Sequence, residues 1–244
     1  MTVDQFSSAT PAPGPNGGRS VWTNFRDAIL APSATFEDVG QRPRWVAPLL
    51  VIMALTVVSS FLLMPMSTAM QEYGISRREM SPEQREQAIN LIRMFKWVGL
   101  GIAPIFVAIF SAIYGLFFWA WAAIAGAKNA SFKIAFTALL YAGIVLSLQA
   151  FAQAVVVMVK GAERVALEGP PTFGLALFLE RGDMGRWMWG FIQNVSFFTV
   201  WHAVLVGMAG IYALKMSKGS ATMFAIFVWV LNILWLAMQA PAAG

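Results

Sequence analysis

Cysteine is absent from the 244 residues, and histidine occurs once, at His202. The first absence removes disulfides, thiolate metal sites and a cysteine nucleophile in one step. The second argues against a zinc site built from this chain alone, because such sites take at least three nitrogen, sulfur or carboxylate ligands. Charge is scarce as well. Asp, Glu, Lys and Arg make up 12% of the chain while 58% is hydrophobic, and soluble domains carry about twice that share of charge. A soluble fold is thereby excluded. No P-loop, dinucleotide fingerprint, His-Glu-x-x-His or Gly-x-Ser-x-Gly pattern occurs. The expectation is a non-enzymatic chain with no cofactor and no metal. A pI near 9.8 raises the question of nucleic acid. The basic residues, however, stand at the ends of apolar stretches rather than along one polar helix face, which is a pattern of membrane topology.

What the chain has in abundance is uncharged apolar length. Five stretches, at about residues 45–64, 97–125, 134–159, 187–214 and 221–238, contain no Asp, Glu, Lys or Arg. At about 1.5 Å per residue each is long enough to cross, or nearly cross, a hydrocarbon core of roughly 30 Å. The predicted fold is an all-α integral membrane protein with five transmembrane helices, an N-terminal amphipathic interfacial helix and short helices in two long connections. Residues 1–20 read as a disordered tail, 21–44 as the amphipathic segment, 45–238 as the membrane domain and 239–244 as a short tail. The first eighteen residues have neither the basic start nor the apolar core of a signal peptide, so the first span should remain uncleaved.

Local signals refine this outline. Val21, Phe25 and Ile29 recur every four residues beside Trp22 and Ala28, with Asn24, Arg26 and Asp27 directed elsewhere, predicting a helix that lies in the membrane plane or packs on the loops of the bundle. Ser33 is placed to cap a second short helix carrying Phe36 and Val39, which Gly40 ends. Pro65 is expected to stop the first span. Ser81, Pro82 and Gln84 form a helix start: a Ser cap, Pro at the first helical position and a capping-box Gln. The helix they open should run toward Trp97. Gly99, Gly101 and Pro104 predict a kink or a late passage into the bilayer. Between spans three and four, the apolar run 172–179 is too short to cross.

Ionisable residues inside a bilayer are the usual functional sites, since each costs at least about 2.5 to 3.5 kcal/mol on insertion scales. Here every formal charge falls outside the five stretches, which argues against an ion-coupled carrier. The candidate interhelical or partner-contacting polar residues are Gln149, Gln153, Gln193, Asn194, His202 and Asn232. Gln149 and Gln153 share a helix face, and His202 is on the rough face of Gln193 and Asn194. Interhelical hydrogen bonds, about 0.6 kcal/mol each, account for such residues; a polar seam for a partner helix or a lipid headgroup is the alternative. His202 has no carboxylate in any span to orient it as a base. Trp22, Phe25, Ile29, Trp45, Trp97 and Trp187 are candidate membrane-interface anchors. Ala122 with Gly126, and Ala203 with Gly207, permit close helix approach.

The order Pro32, Phe36, Arg42, Pro43, Trp45, Pro48, followed at once by a hydrophobic span and then by several more, resembles the bacterial members of the Yip1 family. The resemblance implies five transmembrane helices, a cytoplasmic N-terminus, an extracytoplasmic C-terminus in the bacterial inner membrane, and no catalytic site. It also implies a place beside membrane complexes, most plausibly ABC exporters of the macrolide-permease type with a periplasmic adaptor. Lys and Arg counts on the two sides are nearly even, but the short hinges carry Lys128, Lys133, Lys215 and Lys218 without any acid, which favours the same orientation. The leading expectation is an accessory or scaffold protein with an ABC permease or adaptor as partner and membrane lipid around it. A homo-oligomer is compatible with this. The rivals are a lipid-organising protein with residues 21–30 as a wedge, and, behind it, a channel or carrier.

Overall fold

The computed structural model describes residues 19–76, 78–168, 171–179, 182 and 184–238. The expected disordered tail, but for Arg19 and Ser20, and the tail 239–244 lie outside these residues. The described residues are helical, with no strand beyond an isolated bridge between Gly174 and Ser196.

Two short helices come first. Ser20 opens α1 (Val21–Leu30) by accepting the Thr23 amide on its hydroxyl, and α2 (Pro32–Gln41) starts on Pro32 with no side-chain cap. The cap expected from Ser33 therefore does not form: Pro already suits the first helical turn, where its missing N–H leaves nothing unbonded, and Ser33 is inside the helix. The four helices long and apolar enough to cross a membrane are α3 (Val46–Ser76), α4 (Pro82–Ile124), α5 (Phe132–Lys160) and α9 (Lys218–Met238). Pro65 does not stop α3, which runs eleven residues further. A proline is tolerated within membrane helices, and Pro65 costs α3 only the hydrogen bond its missing N–H would have given to the Phe61 carbonyl. The Ser81 start forms as expected, with both capping-box hydrogen bonds present. The helix it opens does not end at the membrane but continues through Gly99, Gly101 and Pro104 as one 43-residue element, about 64 Å long.

The expected fourth span is two helices. After α6 (Ala162–Glu168) and a 3-10 turn at Leu175–Leu177, α7 (Arg186–Asn194) ends before Ser196, and α8 (Phe197–Tyr212) begins there. Ser196 and Thr199 cap α8 reciprocally, each side chain accepting the other's amide (3.2 and 3.0 Å). Phe173 packs edge-on against Phe198, and the backbone of Gly174 lies so close to Val195 that a Cβ there would overlap its carbonyl oxygen. The apolar run 172–179 thus folds back onto the start of α8. With 16 residues α8 is about 24 Å long, shorter than the hydrocarbon core.

The ends of several helices meet at one pole of the bundle. Trp45 packs on Phe136 near the start of α5, the amide of Asn129 donates to the Leu214 carbonyl, and the Trp121 indole donates to Ser220 (3.1 Å). Helices α3, α4, α5, α8 and α9 therefore traverse the bundle five times in alternating directions, and α1 and α2 cover this pole. The Asn129 side chain joins the cover to the bundle by donating to the carbonyls of Gly40 and Ala213 (2.9 Å each). The core runs from Phe36 and Val39 of α2 through Tyr141, Leu140 and Phe118 to Leu205, Leu214 and Phe224. At the opposite pole α3 and α4 extend as an antiparallel hairpin tied by Arg93 to Glu72 (3.4 Å). From Lys96 outward to Pro82 the hairpin continues about 20 Å beyond the uncharged part of α4.

Candidate functional site

Two polar places stand out in an otherwise apolar bundle. The first is under the cover. On α1, Asn24 and Asp27 are buried while Trp22 (75% exposed) and Leu30 (74%) face outward, so of the two readings of the Phe25 and Ile29 stripe the structure has the packed one rather than the in-plane wedge. Phe25 and Ile29 pack against the core, Phe25 on the Tyr141 ring at 5.4 Å. The reason is partner chemistry: Asp27 is bound by Arg19 and by Arg26 (2.7 Å), and the Asn24 amide donates to Asp38 of α2 (2.7 Å). These bonds satisfy the Asp27 carboxylate and the Asn24 amide nitrogen, which allows both side chains to be buried between helices, although the Asn24 Oδ1 has no partner among the described residues. The Arg26 hydrogen bond, outweighing burial, holds the Asp27 carboxyl below the usual carboxylate range, and the charges of Arg26 and Arg19 act in the same direction.

The second place is a cavity of about 370 Å³ in the middle of the bundle, lined by all five traversing helices. Its polar lining is Thr56 on α3, Ser111 and Tyr114 on α4, Ser147 on α5, Thr199 and His202 on α8, and Trp229 and Asn232 on α9. No Asp, Glu, Lys or Arg reaches it. The Trp229 indole Nε1 is buried without a hydrogen-bond partner, and the Tyr114 and His202 rings approach to 6.5 Å between centroids. Such an arrangement supplies neutral hydrogen-bonding groups within apolar walls. It has no carboxylate to orient His202 and no ionised nucleophile, and among the described residues there is no cluster of His, Asp or Glu able to hold a metal.

Of the six polar candidates, the structure brings two together, His202 and Asn232. Gln149 and Gln153 lie outside the cavity on α5, where the Gln153 amide donates to the Pro171 carbonyl (3.0 Å). Gln193 and Asn194 belong to α7, across the break from His202, and the Asn194 amide bonds back to Gly190 (2.7 Å). A shared helix face with His202 is therefore ruled out. Tyr114, Trp229 and the hydroxyl residues were not legible as site residues, because single hydroxyls and aromatics are ordinary in apolar helices and carry no spacing signal. Among the anchors, Trp97 (55% exposed) and Trp187 (57%) are at the surface, Lys96 lying over the Trp97 ring, and Trp45 is partly covered by Phe136. Gly207 approaches Ala225 of α9, whereas Gly126 is in a turn with positive φ, so only the Ala203 and Gly207 pair meets a neighbouring helix through its glycine.

A family model described as the Yip1 domain matches residues 26–239, nearly the whole chain. No curated protein and no solved structure matches.

Proposed function

Since the chain belongs to the Yip1 family, we propose that it is a non-enzymatic accessory or scaffold protein of a membrane complex in the bacterial inner membrane, with a cytoplasmic N-terminus and an extracytoplasmic C-terminus. The observation that carries the proposal is the hairpin. Beyond the uncharged part of α4, Leu91, Met94 and Phe95 are 51%, 58% and 55% exposed, beside Arg93 and Lys96. Exposed apolar side chains interleaved with basic ones on a projecting hairpin are the composition of a docking surface. In the proposed orientation the hairpin faces the periplasm. This is the compartment where an ABC exporter of the macrolide-permease type carries its adaptor, the partner implied by the family resemblance. The absence of charge from the cavity supports a role other than ion-coupled transport.

The test is purification of the tagged chain at native expression in mild detergent, with mass spectrometry of what accompanies it. Recovery of an ABC permease with its ATPase or adaptor in fixed proportion is expected, lost when Leu91 and Met94 are replaced by Ser. Recovery of the chain with lipid alone would overturn the reading. One observation favours a second reading, a lipid-organising role: Trp22 and Leu30 are exposed on α1 beside the first span. On that reading Trp22→Ser with Leu30→Ser abolishes function without altering insertion, and the hairpin variants do not.

A further inference from the structure

The five helices around the cavity do not close it equally. α3 and α5 form its back, and α5 with α8 and α8 with α9 are in extended contact, whereas α4 and α9 meet over a short stretch. That stretch is toward the covered pole, where Phe118 stacks on Phe224 at 4.7 Å and Trp121 reaches Ser220. Past it, Val107 and Ser111 of α4 face Val228, Trp229 and Asn232 of α9 across the cavity. Few contacts join α4 to α9, so the seam between them is where the ring of helices around the cavity is least closed. Ser111 is about 20 Å along α4 from its end at Ile124, and Asn232 about 21 Å from the start of α9, so the seam lies within the apolar depth of a bilayer of roughly 30 Å.

The lining specifies the guest. An indole N–H only donates, so the partnerless Trp229 Nε1 calls for an acceptor. Among the described residues, Tyr114, His202 and Asn232 also make no hydrogen bond within the protein. A charged group in this cavity would stand unpaired in an apolar medium, at a cost of several kcal/mol. The volume falls within the range of small-molecule sites, about 300 to 1,000 Å³. The geometry points to a laterally open binding site, between α4 and α9, for an uncharged lipid-soluble molecule that presents a carbonyl oxygen to Trp229. An ester of a neutral glyceride and the ring carbonyl of a benzoquinone share this chemistry. The site stands independently of the hairpin and of any ABC exporter.

The full chain in phosphatidylcholine nanodiscs is irradiated with a photoactivatable diacylglycerol or, in a second arm, a photoactivatable benzoquinone, and the labelled peptides are mapped. Enrichment is expected around Val107 to Ser111 and Val228 to Asn232, competed by unlabelled dioctanoylglycerol in the first arm or decylbenzoquinone in the second. The arm that labels identifies the source. Trp229→Phe should weaken competition about five-fold, the loss of one hydrogen bond. Ser111→Leu should block the seam with an unchanged thermal melt, and it decides the matter if Trp229→Phe fails to fold. Labelling in neither arm, labelling no stronger than at the lipid-facing Phe106 and Phe110, or equal labelling by a photoactivatable phosphatidylglycerol would overturn the proposal and leave a water-filled cavity.

Discussion

The two poles of this bundle are built differently. At the covered pole, packing reaches backbone contact: a Cβ on Gly40 would stand 2.9 Å from the Ala213 carbonyl oxygen, and one on Gly115 would stand 3.1 Å from the Phe136 Cα. Phe36, Phe118 and Tyr141 are fully buried there. At the hairpin pole, Leu91, Met94, Phe95 and Trp97 are all more than half exposed, and Arg93, the cation of the ion pair with Glu72, is mostly in solvent. The difference separates two tasks. A pole packed to backbone contact sets the angles between helices, while one that leaves its apolar side chains exposed is able to present a surface.

If that contrast is correct, substitutions of similar size have unequal effects at the two poles. The largest is expected for Phe118→Ala, which removes a fully buried ring stacked on Phe224 and should lower stability by about 3 kcal/mol, read as the midpoint of thermal unfolding by circular dichroism in detergent. Gly40→Val comes next. Its side chain meets backbone rather than a flexible side-chain end, so about 2 kcal/mol is expected, together with release of the cover to protease before the bundle unfolds. A variant that melts like the parent would remove the argument that α2 locks the pole.

Asp27→Asn should cost about 1 to 2 kcal/mol, less than for a fully buried pair because Arg26 is mostly in solvent. The sign of its pH dependence follows from the lowered carboxyl. A folded-state pKa below the unfolded one contributes stability above about pH 4, and that stability is lost as pH falls through the folded value. Protease sensitivity of α1 should therefore rise on acidification below about pH 4 in the parent and lose this dependence in Asp27→Asn. The smallest effect belongs to the hairpin: Glu72→Ala should shift the melt by no more than about 0.5 kcal/mol, as for other exposed pairs. A larger loss would show that the hairpin stabilises the bundle and would erase the difference between the poles.

The helical content and the capping of α4 were legible because they depend on neighbours in the chain. Ser81, Pro82 and Gln84 are within one turn of the amides they serve. The errors fell where a distant partner intervened. Pro65 is the exception, a missing N–H that α3 simply runs through, whereas Val195 and Ser196 read as span interior until the segment around Gly174 is seen to occupy the position beside them. The orientation of α1 is the plainest case. Its spacing placed Asn24 and Asp27 away from the apolar stripe, and they are instead buried, with Asp38, fourteen residues after Asn24, accepting from the Asn24 amide and Arg19 binding Asp27.

By itself, then, the sequence determined that the chain is a membrane-embedded bundle of helices without charge in its apolar stretches, since hydropathy and length are properties of each stretch alone. Only the tertiary structure decided which side chains share a space. Tyr114, His202, Trp229 and Asn232 come from three helices and meet at one cavity because α4, α8 and α9 cross at particular angles. Those angles are set by close contacts such as Gly210 on Ala221 and Phe118 on Phe224, between residues that no local pattern pairs.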